Sequence, residues 1–174
     1  MLYKASVERT QGIAAIARPV DPVRTAVLLL HPLAALALIW VFLKQRRWRH
    51  QSTLLKGEER ESALADHQAS GDKAMAYVVA VIALAFVAHI ARASLEGLDP
   101  TTYLVPGHFH GWAGLIGLLL MTTLWRMGRN TRDLKSEGAS FARSKELHGR
   151  MSDVMVMLVA IHAFLGFLYF LKIV

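Results

Sequence analysis

Imidazole is the side chain in this sequence most able to do chemistry. The chain carries eight histidines and no cysteine across 174 residues. Without thiols there can be no disulfide, no iron–sulfur cluster, no thiolate-bound zinc and no thioether-linked haem. A metal or prosthetic group would have to be held by other donors. Four histidines recur in a pattern. His31 opens the run "HPLAALALIW" and His110 opens "HGWAGLIGLL". His67 and His148 follow them at nearly equal intervals, from 31 to 67 and from 110 to 148. In "LADHQASGDKAM" and "SKELHGRMSDVM" the histidine is followed five residues later by Asp72 or Asp153, where the polar stretch gives way to an apolar one.

The elements that must position these residues are long and apolar. The chain is 54% hydrophobic and only 9% aromatic. Its apolar residues gather into runs over about residues 25–43, 74–93, 103–125 and 151–171. A bilayer is crossed by about 20 residues of helix. The expectation is therefore an all-α membrane protein, a four-transmembrane-helix bundle over 25–174 in contact with the lipid bilayer. Residues 1–24 form an N-terminal surface segment, either an amphipathic helix or a loosely ordered tail. Lys and Arg are dense after the first run, from Lys44 to Lys73, and after the third, from Arg126 to Arg150; 94–102 contains none. That asymmetry puts the basic loops on the cytoplasmic side and both termini opposite, in a bacterial inner or thylakoid-type membrane. The net charge of +7 flanks apolar runs as it does in proteins seated against anionic lipid, which argues against nucleic acid as a partner.

The histidine spacing suggests two parallel two-helix repeats, with the first run matching the third and the second the fourth. His31 and His110 then share an outer level, and His67 and His148 an inner one. Two imidazoles from facing helices at one depth suit the axial positions of haem iron, so two haem b groups are expected, on His31 with His110 and on His67 with His148. Ala35, Gly71, Gly114 and Ser152, one turn after the ligands, offer clearance for a flat macrocycle or merely for close helix packing.

Of the remaining histidines, only one of His108 and His110 can face the bundle centre if both are helical, and the repeat favours His110; alternatively His108 lies before the helix begins, after Pro106 and Gly107, where it could serve a rim site. His162 is expected near the outer level facing inward, where it could serve a propionate or substrate or displace an assigned ligand. His89 approaches the outer surface, where a quinone site or a snorkelling interfacial role are the alternatives. His50 is expected in solvent. Propionates need cations: Lys73, Arg143, Lys145 and Arg150 on the inner side, Arg24 and Arg92 on the outer. Asp72 and Asp153 either bond a ligand's free N–H or cap and solvate the interface.

"HP" at 31–32, "HQASG" from 67, "PGHFHGWAG" from 106 and "ELHGRMSD" from 146 together resemble a four-helix membrane family of cyanobacteria and plastids related to the cytochrome b561 and ferric-reductase-like group. The resemblance covers roughly 25–174. It implies a dihaem b-type cytochrome acting as a transmembrane oxidoreductase, with haem iron bound by the same His31–His110 and His67–His148 pairs. The two further helices of cytochrome b561 proteins and an ascorbate-site signature have no counterpart here. The alternative function is a non-catalytic pigment- or haem-binding subunit or assembly factor of a larger photosynthetic or respiratory membrane complex. A His-lined metal transporter is weaker, because the runs lack acidic residues apart from Asp153 at an edge.

Overall fold

The computed structural model describes residues 22–99, 101 and 104–173. All but the last three residues of the expected N-terminal surface segment lie outside that set, as do the Arg24 side chain and Tyr103. The described residues form four long helices and one short one: α1 Pro22–Arg46, α2 Trp48–Leu54, α3 Gly57–Leu95, α4 Phe109–Ser136 and α5 Ala142–Ile173. No strand occurs among them.

The helix ends follow local chemistry. Lys44 and Arg46 occupy the last turn of α1 and Glu58 and Glu59 the first turn of α3, each complementing the helix dipole. Gly97 and Gly138, at φ 69° and 70°, take the left-handed conformation that stops α3 and α4. In the loop after α3, Asp99 accepts from the Thr101 N–H and hydroxyl, both at 2.9 Å, which holds its carboxyl below the usual carboxylate range. Pro32 lies inside α1, where it withholds one N–H from the Leu28 carbonyl without ending the helix.

Three segments are long and apolar enough to cross a membrane: Thr25–Leu54, Gly57–Leu95 and Ala142–Lys172. The third expected run, 103–125, departs from its expected bounds. Pro106 and Gly107 keep the chain out of helix until Phe109, and α4 then continues to Ser136. Its apolar part is diluted by glycines, threonines and His110, and α4 is not among the three. The other helices also overrun their apolar cores. α3 begins at Gly57, several turns before the apolar run starts at 74, so His67 stands within a helix rather than at its threshold. His148 likewise lies inside α5.

α1 packs along α3 and α4 along α5; α3 joins the two hairpins by packing on α4, with sparser contacts between α1 and α5. Phe42, Ala74, Met121, Leu124 and Met155, drawn from all four long helices, form the buried core cluster. Large apolar side chains such as Leu36, Leu119 and Phe164 point outward, 63%, 70% and 61% exposed. An aqueous protein pays heavily for such a surface, whereas lipid accommodates it.

Candidate functional site

The backbone dictates where the rings go. In a helix each Cβ leans toward the N-terminus, so a side chain at position j+4 covers the turn that holds carbonyl j. Gly166 therefore leaves the His162 carbonyl bare, and Gly128 does the same for Leu124. Two rings use these gaps. His110 Nδ1 lies 3.1 Å from the His162 oxygen, and His148 Nδ1 lies 3.1 Å from the Leu124 oxygen. A Cβ on Gly166 would meet His110 Cε1 at 2.8 Å, and one on Gly128 would meet His148 Cε1 at 3.2 Å. A carbonyl only accepts, so each Nδ1 carries the proton and donates. Nε2 of both rings is left with its lone pair.

The two other expected ligands face these rings. His31 and His110 have ring centres 6.0 Å apart with planes at 72°. His67 and His148 are 6.5 Å apart at 86°. The His31 ring lies against the backbone of Val81 and the His67 ring against that of Gln45. Their Nδ1 atoms are buried beside those backbones, without a hydrogen bond of good geometry.

These contacts repeat. Adding 79 to α1 numbers and 81 to α3 numbers turns His31 and Val81 into His110 and His162, and Gln45 and His67 into Leu124 and His148. The same shifts turn Arg46 into Trp125 and Asp72 into Asp153, and each residue of the first half pairs with the counterpart from the second: Arg46 Nη2 donates to Asp153 at 2.8 Å, and Trp125 Nε1 donates to Asp72 at 2.7 Å. Arg49 also pairs with Asp153, and Arg129 and Arg132 approach Asp72 at 4.0 and 3.8 Å. These clamps tie α1 to α5 and α3 to α4, and they bring both basic stretches to the same end of the bundle. Neither carboxylate bonds a histidine among the described residues. The second partner of the imidazoles is a carbonyl, so the clamping role of Asp72 and Asp153 is the one observed.

The partner contacts recur at one fixed interval along each long helix: 31 to 45, 67 to 81, 110 to 124 and 148 to 162. At ~1.5 Å per residue the two histidine pairs are about 21 Å apart along the bundle.

Of the four remaining histidines, His89, His108 and His162 gather at the outer pair, while His50 is exposed in α2 at the basic end. His108 is not helical. Its extended backbone, φ −145° and ψ 154°, makes it the N-cap of α4, and its Nδ1 accepts the Gly111 N–H at 3.0 Å. His108 thus lies before the helix, the second of the two arrangements open to it, and the divergence that two helical residues would show does not arise: the two rings stack 6.0 Å apart at 17°. His162 stacks on His110 at 4.1 Å. His89 is not a lone interfacial residue: its Nε2 lies 3.4 Å from Nε2 of His108. Tyr169, not among the residues expected from the sequence, stacks on His108 at 4.0 Å and meets Arg92 through its hydroxyl at 3.5 Å. Its position two turns after His162 along one face of α5 was the available signal.

Three of the four expected clearances, those at Gly71, Gly114 and Ser152, are occupied. The Gln45 amide lies over Gly71, the His162 ring over Gly114, and the Arg46 guanidinium donates to the Ser152 carbonyl. Of the expected propionate partners, Arg150 is exposed and paired with Glu146 at 2.6 Å, Arg92 lies 4.0 Å from Glu96, and Lys73 lines a cavity beside His67. Among the described residues no three His, Asp or Glu side chains form a cage for a bare metal ion.

No protein-family model, curated protein or solved structure matches the chain.

Proposed function

We propose that the chain is a dihaem b-type cytochrome that carries electrons across a membrane. The observation that carries this reading is the spacing of the paired rings. Imidazoles on opposite sides of one metal atom, each bonded at about 2.0 Å through a nitrogen about 1.1 Å from its ring centre, stand about 6.2 Å apart. The pairs stand at 6.0 and 6.5 Å. The donor set fits as well: His110 and His148 are held as the tautomer that leaves Nε2 free, tethered by a backbone carbonyl as metal-bound histidines usually are. Four-residue spacing to glycine makes that tether sterically accessible.

In this reading His31 and His110 hold one haem and His67 and His148 the other, and bound haem supplies a one-electron Fe(III)/Fe(II) couple. The helices set the two levels about 21 Å apart within a hydrocarbon core of about 30 Å. The Asp153 and Asp72 clamps keep the hairpins in register, so the rings of each pair stay opposed. α4 serves as a fourth span, sheltered by α3 and α5, and the two hairpins form a parallel repeat about an axis along the membrane normal. The shared basic end of the bundle faces the cytoplasm.

The test is a dithionite-reduced minus oxidised spectrum of purified protein, with pyridine haemochrome analysis of the pigment. The expected result is haem b at two per chain. Protein that binds a single pigment, or none, after expression with ample haem contradicts the reading.

A further inference from the structure

A cavity of about 500 Å³ opens between α1, α2 and α3 beside His67. It shares one residue, His67, with the inner histidine pair. No residue of α4 or α5 lines it, so it stands beside the inner pair rather than between its rings. Trp40, Trp48, Tyr77 and His67 give it walls of aromatic ring, and Trp48 stacks on His67 at 5.6 Å and 23°. Gln51, Ser70 and Lys73 add hydrogen-bond donors.

We infer that this cavity binds the headgroup of a quinone. Its volume lies within the ~300–1,000 Å³ typical of small-molecule sites. Ring walls suit a flat conjugated ring, which stacks on aromatic faces with an offset. Hydroxyl, amide and ammonium donors suit a ring that ends in carbonyl oxygens. The mouth suits the tail: Trp40 and Tyr77 are 64% and 51% exposed, and Leu36, one turn from Trp40 on the same face of α1, is 63% exposed. An isoprenoid chain leaving the cavity would run along this apolar face. Arg47 and Lys73 would also attract an anionic lipid headgroup, but Asp66 shares the wall, Lys44 is engaged over the Trp40 ring at 5.7 Å, and the aromatic faces favour a flat ring. Electron exchange between the quinone and the inner pair rests on the haem reading; binding does not.

The test is tryptophan fluorescence of the full chain in detergent, titrated with a decyl-tailed benzoquinone. Two of the four tryptophans line the cavity, so quenching should saturate near roughly half of the emission. Ala63→Leu and, separately, Ser70→Leu narrow the cavity and should each weaken the apparent affinity by about tenfold or more. Trp112→Phe should leave it unchanged. Quenching that rises linearly without saturation, or that saturates equally in both cavity variants, overturns the inference. So does displacement of the quinone by phosphatidylglycerol vesicles but not by a second quinone. Haem absorbance read on the same samples separates the two readings. Saturable quenching in protein that binds no haem keeps the cavity site and removes the cytochrome; haem without saturable quenching does the reverse.

Discussion

On the proposed dihaem reading, Gly166→Ala should disturb the outer haem and spare the inner one. The added Cβ would lie 2.8 Å from His110 Cε1 and 3.1 Å from its Nδ1. Carbon atoms rest at about 3.5 Å or more, so the ring must retreat by about 0.7 Å. The 3.1 Å bond from Nδ1 to the His162 carbonyl then stretches to about 3.8 Å, past the limit of a hydrogen bond. Losing that partner makes the imidazole a poorer electron donor, and such losses cost metal sites about 10- to 100-fold in affinity. To the extent that the ferric form bears the loss, the outer midpoint potential rises by up to about 60–120 mV, at about 59 mV per tenfold for one electron. Gly128→Ala is the internal control. Its Cβ would lie 3.2 Å from His148 Cε1, so the ring needs to move only about 0.3 Å and the bond to Leu124 survives. Spectroelectrochemical titration of both variants reads the two potentials. Equal shifts in the two variants, or a Gly166→Ala protein with both potentials unchanged, would refute the role given to the uncovered carbonyls.

His108→Ala should fray the first turn of α4 at a cost of about 1 kcal/mol, seen as faster amide exchange at 109–112, while His108→Asn keeps the cap. Trp125→Phe removes the 2.7 Å bond to Asp72 and should cost about 1 kcal/mol in thermal unfolding, with the α3–α4 contact loosened. Asp153→Asn should lower the melting temperature slightly, and added salt should shrink the difference, because the carboxylate and Arg49 are both solvent-accessible. Single cysteines placed at 56 and 138 in the two basic stretches should react with a membrane-impermeant thiol reagent from the same side of sealed vesicles; labelling from opposite sides contradicts the parallel repeat.

The periodicity of apolar runs revealed the long helices and the repeat of histidines revealed which rings would meet, since both depend on spacing within one chain. The pairs His31–His110 and His67–His148 are neighbours for that reason. Helix ends were less legible. α3 extends back through charged sequence to Gly57 because "EERESALADHQAS" is a good helix former whether or not it is apolar. The helix start within 103–125 is not legible in hydropathy, which ignores the break imposed by Pro106 and Gly107. Asp72 and Asp153 looked equally suited to histidine or interface, and only the packing of α4 and α1 decides for Trp125 and Arg46. The carbonyl tethers were hidden altogether: they depend on which glycine faces which ring across two helices. Tyr169 and the cavity beside His67 arise in the same way from contacts between elements.

The most direct test of the central claim is the pairing itself. Haem content and low-temperature spectra should be compared for His31→Ala, His110→Ala, His67→Ala and His148→Ala, each expressed with ample haem. The account predicts that the first two leave the same single haem with the same spectrum, and that the last two leave the other one. Four distinct residual spectra, or loss of the same haem from His31→Ala and His67→Ala alone, would contradict it.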